Sequence, residues 1–273
     1  MKKVLLYTPI AIILLVSVWF YVIYRSIERF ELPHGAVLHV LPASKIFQTR
    51  NAIVLCPGGG YNFLERKREG YMWFPFYYFQ GYTVALLEYR LPDEDHQSPK
   101  IDGSEAIRLM REHAGVWGYD ENNVGMMGFS AGGHLVSTMM VSDDTSVRPD
   151  YAVLFYPIIS MKKELTHYWA YLHLLGKNPS EELENRYSNE LHVSNQTPPA
   201  YIVVCSDDKV VDPQNAIRFY EKMRAKNCSV TLRVYPSGGH GWGYRLTFAH
   251  HRQMVKDLAA WLKNRQSQIT NKK

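Results

Sequence analysis

The run Gly128-Phe129-Ser130-Ala131-Gly132 sets a serine between glycines two residues before and two residues after it. It follows a short apolar stretch, Val124–Phe129, that reads as a strand, and it leads into a helix-like run from His134 to Met140. A serine on so sharp a strand-to-helix turn has an exposed hydroxyl, and the flanking glycines leave room for the turn. The chemistry on offer is nucleophilic attack through a covalent intermediate. It requires a base, an acid to orient the base, and donors for an oxyanion.

Candidates for all three follow other strand-like runs. The stretch Cys205-Ser206-Asp207-Asp208-Lys209-Val210-Val211-Asp212-Pro213 puts acidic residues in a loop after a strand. Tyr235-Pro236-Ser237-Gly238-Gly239-His240-Gly241 puts a histidine among glycines after the last strand, where it is free to reach a serine. The chain order is Ser, Asp, His, the α/β-hydrolase order among serine hydrolases. Asp207, Asp208 and Asp212 are all within reach of His240. We take Asp208 as the orienting acid, Asp207 as a loop-capping residue, and Asp212 as the cap of the helix that starts at Pro213. Pro57-Gly58-Gly59-Gly60 follows an early strand, where bare backbone can approach a reacting carbonyl. No Gly-Lys-Ser/Thr follows it, so it is not a phosphate loop. The expected oxyanion donors are the N–H groups of Gly59, Gly60 and Ala131.

These loops need a scaffold. Strand-like runs at 51–56, 82–89, 124–129, 150–159, 200–205 and 230–235 alternate with helical spacing over 101–113, 213–226 and 248–265. The stretch 69–80 reads as a helix interrupted near Pro75, and 161–199 is irregular with short helical pieces. Such alternation predicts an α/β fold with a mostly parallel central sheet and helices on both faces. The 273 residues are 46% hydrophobic, enough for one large domain. The net charge of +5 is spread out and weighted to the two ends, with no basic stripe, so nucleic acid is not an expected partner. Three cysteines make no disulfide framework or zinc spacing; Cys56 and Cys205 read as buried thiols and Cys228 as exposed. No metal or organic cofactor is called for.

Val4 to Tyr24 carries no charge over 21 residues, long enough to span about 30 Å of hydrocarbon. Trp19, Tyr21 and Tyr24 sit near its outer end, and no small-x-small cleavage site follows. The expectation is an N-terminal transmembrane helix acting as an uncleaved anchor, with the catalytic domain outside the cytoplasm; a secreted form after signal cleavage is the alternative. The domains expected are therefore 1–30 as anchor, 31–266 as α/β-hydrolase domain, and 267–273 as a basic tail.

With these residues assembled, the chain resembles the compact α/β-hydrolase esterases called BD-FAE-like or acetylxylan-esterase-like, near the hormone-sensitive-lipase-type carboxylesterases. The resemblance runs from about Asn51 to Tyr244. It rests on Pro57-Gly58-Gly59-Gly60-Tyr61, Glu69-Gly70, Glu88-Tyr89-Arg90-Leu91-Pro92, Asp102 with Ala106-Ile107, Gly128 to His134, Leu174-Leu175-Gly176, Tyr187-Ser188, Thr197-Pro198-Pro199 and Gly238 to Gly241. In the family the acid belongs to a D-x-x-V loop, which matches Asp208 and Val211; the family commonly has proline where this chain has Asp212. The resemblance implies hydrolysis of short acyl esters, often acetyl groups on polysaccharides. No long insertion precedes Asp208 to form a large lid, so an open site is expected. Tyr61, Trp169, Tyr187 and Trp242 are aromatics that could stack on a sugar, and Tyr61 and Trp242 are the substrate-binding candidates. His134 reads as a packed, hydrogen-bonded residue rather than a second base. Two rival readings are a serine peptidase of the prolyl-oligopeptidase type and a catalytically silent, membrane-tethered binding protein.

Overall fold

The computed structural model describes residues 23–46, 48–93 and 95–270. Eight strands form one sheet: β1 (Glu28–Glu31), β2 (Val37–Leu41), β3 (Asn51–Cys56), β4 (Tyr82–Glu88), β5 (Val124–Phe129), β6 (Tyr151–Phe155), β7 (Ala200–Cys205) and β8 (Val230–Tyr235). Their order across the sheet is β1-β2-β4-β3-β5-β6-β7-β8. The two pairings at the β1 edge are antiparallel and the rest are parallel. The chain thus forms the α/β-hydrolase fold.

The helices are α1 (Phe74–Phe79), α2 (Ser98–Glu112), α3 (Ala114–Trp117), α4 (Ala131–Met140), α5 (Tyr168–Leu175), α6 (Glu181–Arg186), α7 (Gln214–Ala225) and α8 (His251–Thr270). The central strands β3 to β7 are buried almost throughout, which is why they read as unbroken apolar runs. Their side chains still divide with period two. Ala52, Val54 and Cys56 face one core with Ile107, Leu135 and Phe219; Ile53 and Leu55 face the other with Phe74, Tyr77 and Leu258. Because β3, β5, β7 and β8 run parallel, the loops that follow them open at one edge of the sheet. All four candidate stretches therefore meet there.

Three expectations shift. The stretch expected as a helix interrupted near Pro75 is a 3₁₀ turn, Tyr71–Trp73, that gives way to α1 at Phe74; Pro75 lies in the first turn of α1, where its missing N–H has no intrahelical partner to lose. The sheet begins at Glu28, inside the stretch assigned to the anchor, and α8 runs to Thr270, into the expected tail. Most of the transmembrane segment expected at Val4–Tyr24 lies outside the described residues. Ile23, near its end, is buried with Phe74 and Tyr77 in the core of this domain. No helix among the described residues is long and apolar enough to cross a membrane.

Candidate active site

Ser130 sits between β5 and α4 with φ 52° and ψ −117°, a conformation that costs a non-glycine residue roughly 1–3 kcal/mol. The surroundings enforce it. Ser130 N–H donates to Phe155 O at 3.1 Å, and Ser130 O accepts from both His134 N–H and Ile158 N–H at 3.1 Å. The glycine at 132 is required by close approach: a Cβ there would stand 2.0 Å from Cys56 O. The turn therefore presses directly on the end of β3, where the glycine loop starts.

His240 Nε2 lies 2.9 Å from Ser130 Oγ, and its Nδ1 lies 2.7 Å from Asp208 Oδ2. The other Asp208 oxygen accepts the N–H groups of Val210 at 2.9 Å and Val211 at 3.0 Å. A carboxylate held this way has one oxygen committed to its own loop and one to the imidazole. It fixes the Nδ1–H tautomer and leaves Nε2 as an acceptor for the serine proton. Asp207 does something else. Its carboxylate accepts Gly238 N–H at 3.1 Å and Gly239 N–H at 2.8 Å, which ties the β7 loop to the loop that carries His240. Those two bonds hold its pKa below the usual range. Asp212, expected to cap α7, accepts Gln214 N–H at 2.9 Å from outside that helix; the helix begins at Gln214 with Pro213 in the cap position, so Asp212 closes the turn that leads into α7.

The glycine loop is braced from behind. Gly58 N–H donates to Glu69 Oε2 at 2.8 Å, and Tyr156 Oη–H donates to Glu69 Oε1 at 2.7 Å. Tyr156 Oη in turn accepts Gly243 N–H at 2.8 Å, and its ring packs 4.7 Å from the His240 ring. Burial pushes the Glu69 carboxyl upward in pKa, and the bonds from Tyr156 and Gly58 oppose that. Tyr89 Oη–H donates to Pro57 O at 2.6 Å, and Arg90 forks onto the buried Asp102 carboxylate. Several of the sequence motifs away from the triad are thus supports of this loop. Among the described residues the N–H groups of Gly59 and Gly60 have no backbone acceptor. Ala131, as the first residue of α4, has no intrahelical acceptor for its own.

Ser130 and His240 open on a cleft of about 460 Å³, lined also by Gly59, Gly60, Asn62, Phe63, Glu65, Arg68, Glu69, His167, Trp169, His173, Val210 and Gly241. Trp169 and Phe63 are 58% and 56% exposed there. The two aromatics expected to bind substrate do not line it. Tyr61 is 3% exposed, and its hydroxyl is spent on His134 Nδ1 at 2.8 Å. Trp242 is 2% exposed and stacks face to face with Phe248 at 4.3 Å. Tyr187 is also buried. An aromatic ring gives no sequence signal of whether it packs inward or lines a cleft. His167 and His173 belong to the irregular stretch 161–199, whose lack of periodicity hid a wall of the cleft. His173 Nδ1–H donates to Gly60 O at 2.8 Å, so this stretch also holds the glycine loop. Among the described residues no three His, Cys, Asp or Glu side chains converge to hold a metal ion. Cys228, expected exposed, is buried, and its Sγ–H donates to Ser194 O.

His134 is packed as expected. Its Nε2–H donates to Tyr187 O at 2.8 Å while Nδ1 accepts from Tyr61, so the ring is neutral and satisfied. Burial lowers its pKa from 6.5 to about 4. The unfolded chain therefore takes up a proton as pH falls through the higher value, and the folded chain only near the lower one. The stability from this site is complete above the unfolded pKa and is lost as pH falls toward the folded one. The loss between pH 7 and pH 5 is about 2 kcal/mol. Urea unfolding of wild type and His134→Gln at both pH values checks this. The stability gap between them is expected to shrink by that amount at pH 5, and a gap independent of pH would count against it.

The chain matches the BD-FAE family over residues 40–223. An acetylxylan esterase of Xylanibacter ruminicola is 41% identical over 217 residues, which make up 78% of this chain and 45% of that protein. Endo-1,4-beta-xylanase B of Butyrivibrio fibrisolvens is 31% identical over 207 residues, 70% of this chain and 32% of that protein. The chain spans less than half the length of these two relatives. Among solved structures, an acetyl ester-xyloside bifunctional hydrolase from Caldicellulosiruptor lactoaceticus is similar with a TM-score of 0.78 at 30% identity, covering 85% of this chain and 89% of that one.

Proposed function

The chain belongs to the BD-FAE family, and from that premise we propose that it is a serine carboxylesterase that removes short acyl groups, acetyl above all, from carbohydrate esters. The observation that carries the reading is the unbroken line from Asp208 through His240 to Ser130, ending in a cleft beside the backbone N–H groups of the glycine loop. His240 Nε2 takes the Ser130 proton as Oγ attacks the ester carbonyl. The N–H groups of Gly59, Gly60 and Ala131 receive the oxyanion, a contribution of about 3 kcal/mol per donor in sites of this kind. His240 then protonates the departing alcohol, water enters, and the same steps run on the acyl-enzyme. The kinship with an acetylxylan esterase and with an acetyl ester-xyloside bifunctional hydrolase supports acetyl and xylan-type substrates.

A series of nitrophenyl esters from acetyl to octanoyl, followed by acetate release from acetylated xylan, tests the substrate class. Fastest turnover at acetyl, with acetate released from the polymer, is the expected result. Preference for long acyl chains, or cleavage of peptide amides in place of esters, would overturn it. The proposal includes the uncharged Val4–Tyr24 segment, up to the point where Ile23 enters the core of the domain, as a membrane anchor. Full-length protein is then expected to stay with membranes washed in alkaline carbonate, and its release would remove that part.

A further inference from the structure

We propose that His167 donates a hydrogen bond from Nε2–H to a hydroxyl on the alcohol half of the ester, and so selects sugar-like over plain leaving groups. The proposal rests on the esterase reading above. His167 precedes α5, and its Nδ1 accepts Ala170 N–H at 3.2 Å, capping that helix. A neutral imidazole that accepts at one nitrogen carries its proton on the other. The cap therefore fixes the tautomer and leaves Nε2 as a donor. Among the described residues that nitrogen has no hydrogen-bond partner, and the half-buried ring lines the cleft with Ser130 and His240.

The ring stands against the oxyanion loop, its Cε1 3.9 Å from where a Cβ on Gly60 would lie. Burial, with His240 nearby, lowers its pKa, which favours the single-proton form. It also feels the charge of Asp208. His240 is the group that must protonate the departing oxygen, and its charge reaches His167 across the same cleft, so the proposal seats the alcohol half of the substrate between the two rings. The same wall continues outward through Trp169, whose exposed indole lies at 27° to the His173 ring. A plain aryl or alkyl leaving group offers no hydroxyl for the Nε2–H to bind; a sugar does, and a leaving group that covers this donor without pairing it forfeits the hydrogen bond it makes to water.

Two variants separate the cap from the donor. His167→Asn keeps an acceptor near the backbone for Ala170 N–H but ends short of the cleft. His167→Gln places an amide N–H near the position of Nε2 and gives up the cap. The measured quantity is the ratio of kcat/KM for a methyl monoacetyl-β-xyloside to that for p-nitrophenyl acetate, with Tm beside it. The ratio is expected to fall about three- to tenfold in His167→Asn, and to recover in His167→Gln while Tm drops. An unchanged ratio in His167→Asn, or an equal fall in both variants, would overturn the proposal. Wild-type protein that hydrolyses neither ester would instead refute the esterase reading itself.

Discussion

Ser130→Ala is expected to lower kcat for p-nitrophenyl acetate by about 10⁶, to the level left by binding and the oxyanion donors alone. The size follows from chemistry: without Oγ there is no acyl-enzyme, and the unassisted water must attack the ester directly. The fold should persist. Alanine keeps a Cβ, so the φ of 52° is no more strained than before, and the substitution removes chiefly the hydrogen bond between Oγ and His240 Nε2. The three backbone bonds that enforce the turn do not involve the side chain. Steady-state kinetics with circular dichroism on the same sample checks both halves. Substantial residual activity in a folded variant would mean that another nucleophile carries the reaction.

Asp208→Asn is the second large effect, a fall in kcat of about 10⁴ near neutral pH. The mechanism is specific. Val210 and Val211 N–H groups point at Oδ1, so an asparagine would keep its carbonyl there and turn its amide N–H toward His240. Two donors cannot face each other, so His240 would move its proton to Nε2 and lose the lone pair that accepts from Ser130. The loss should therefore appear in kcat with little change in overall stability, measured by urea unfolding. If Asp208→Asn retained near-wild-type kcat, the orienting acid would lie elsewhere, and Asp207 would be the next residue to substitute.

Much of the triad is legible in the sequence because each member sits on a short loop directly after a strand, and parallel strands of one sheet bring such loops together. Ser130, Asp208 and His240 can be placed that way, and so can the glycine loop. Separating Asp208 from Asp207 in the sequence rests on local loop logic, and the structure gives both residues partners: Asp208 binds the imidazole and Asp207 binds the backbone of the histidine loop. The cleft wall is not legible. Residues 161–199 have no sustained helical or strand period, so nothing in them announces that His167, Trp169 and His173 face the cleft of Ser130. Trp169 stands out in the sequence only as one of several aromatics. Tyr61 and Trp242 mislead for the complementary reason: a large ring is as good at filling a core as at lining a cleft, and only the fold decides. The start of the domain is blurred in the same way, since an apolar run serves a membrane or a core, and Ile23 joins a core.

The central claim, that Ser130 is the activated nucleophile, is tested most directly by treating the protein with a fluorophosphonate and mapping the adduct by mass spectrometry. A single adduct on Ser130, formed far more slowly in His240→Ala, is the expected result. No adduct on a folded protein, or an adduct at another residue with Ser130 unmodified, would contradict it.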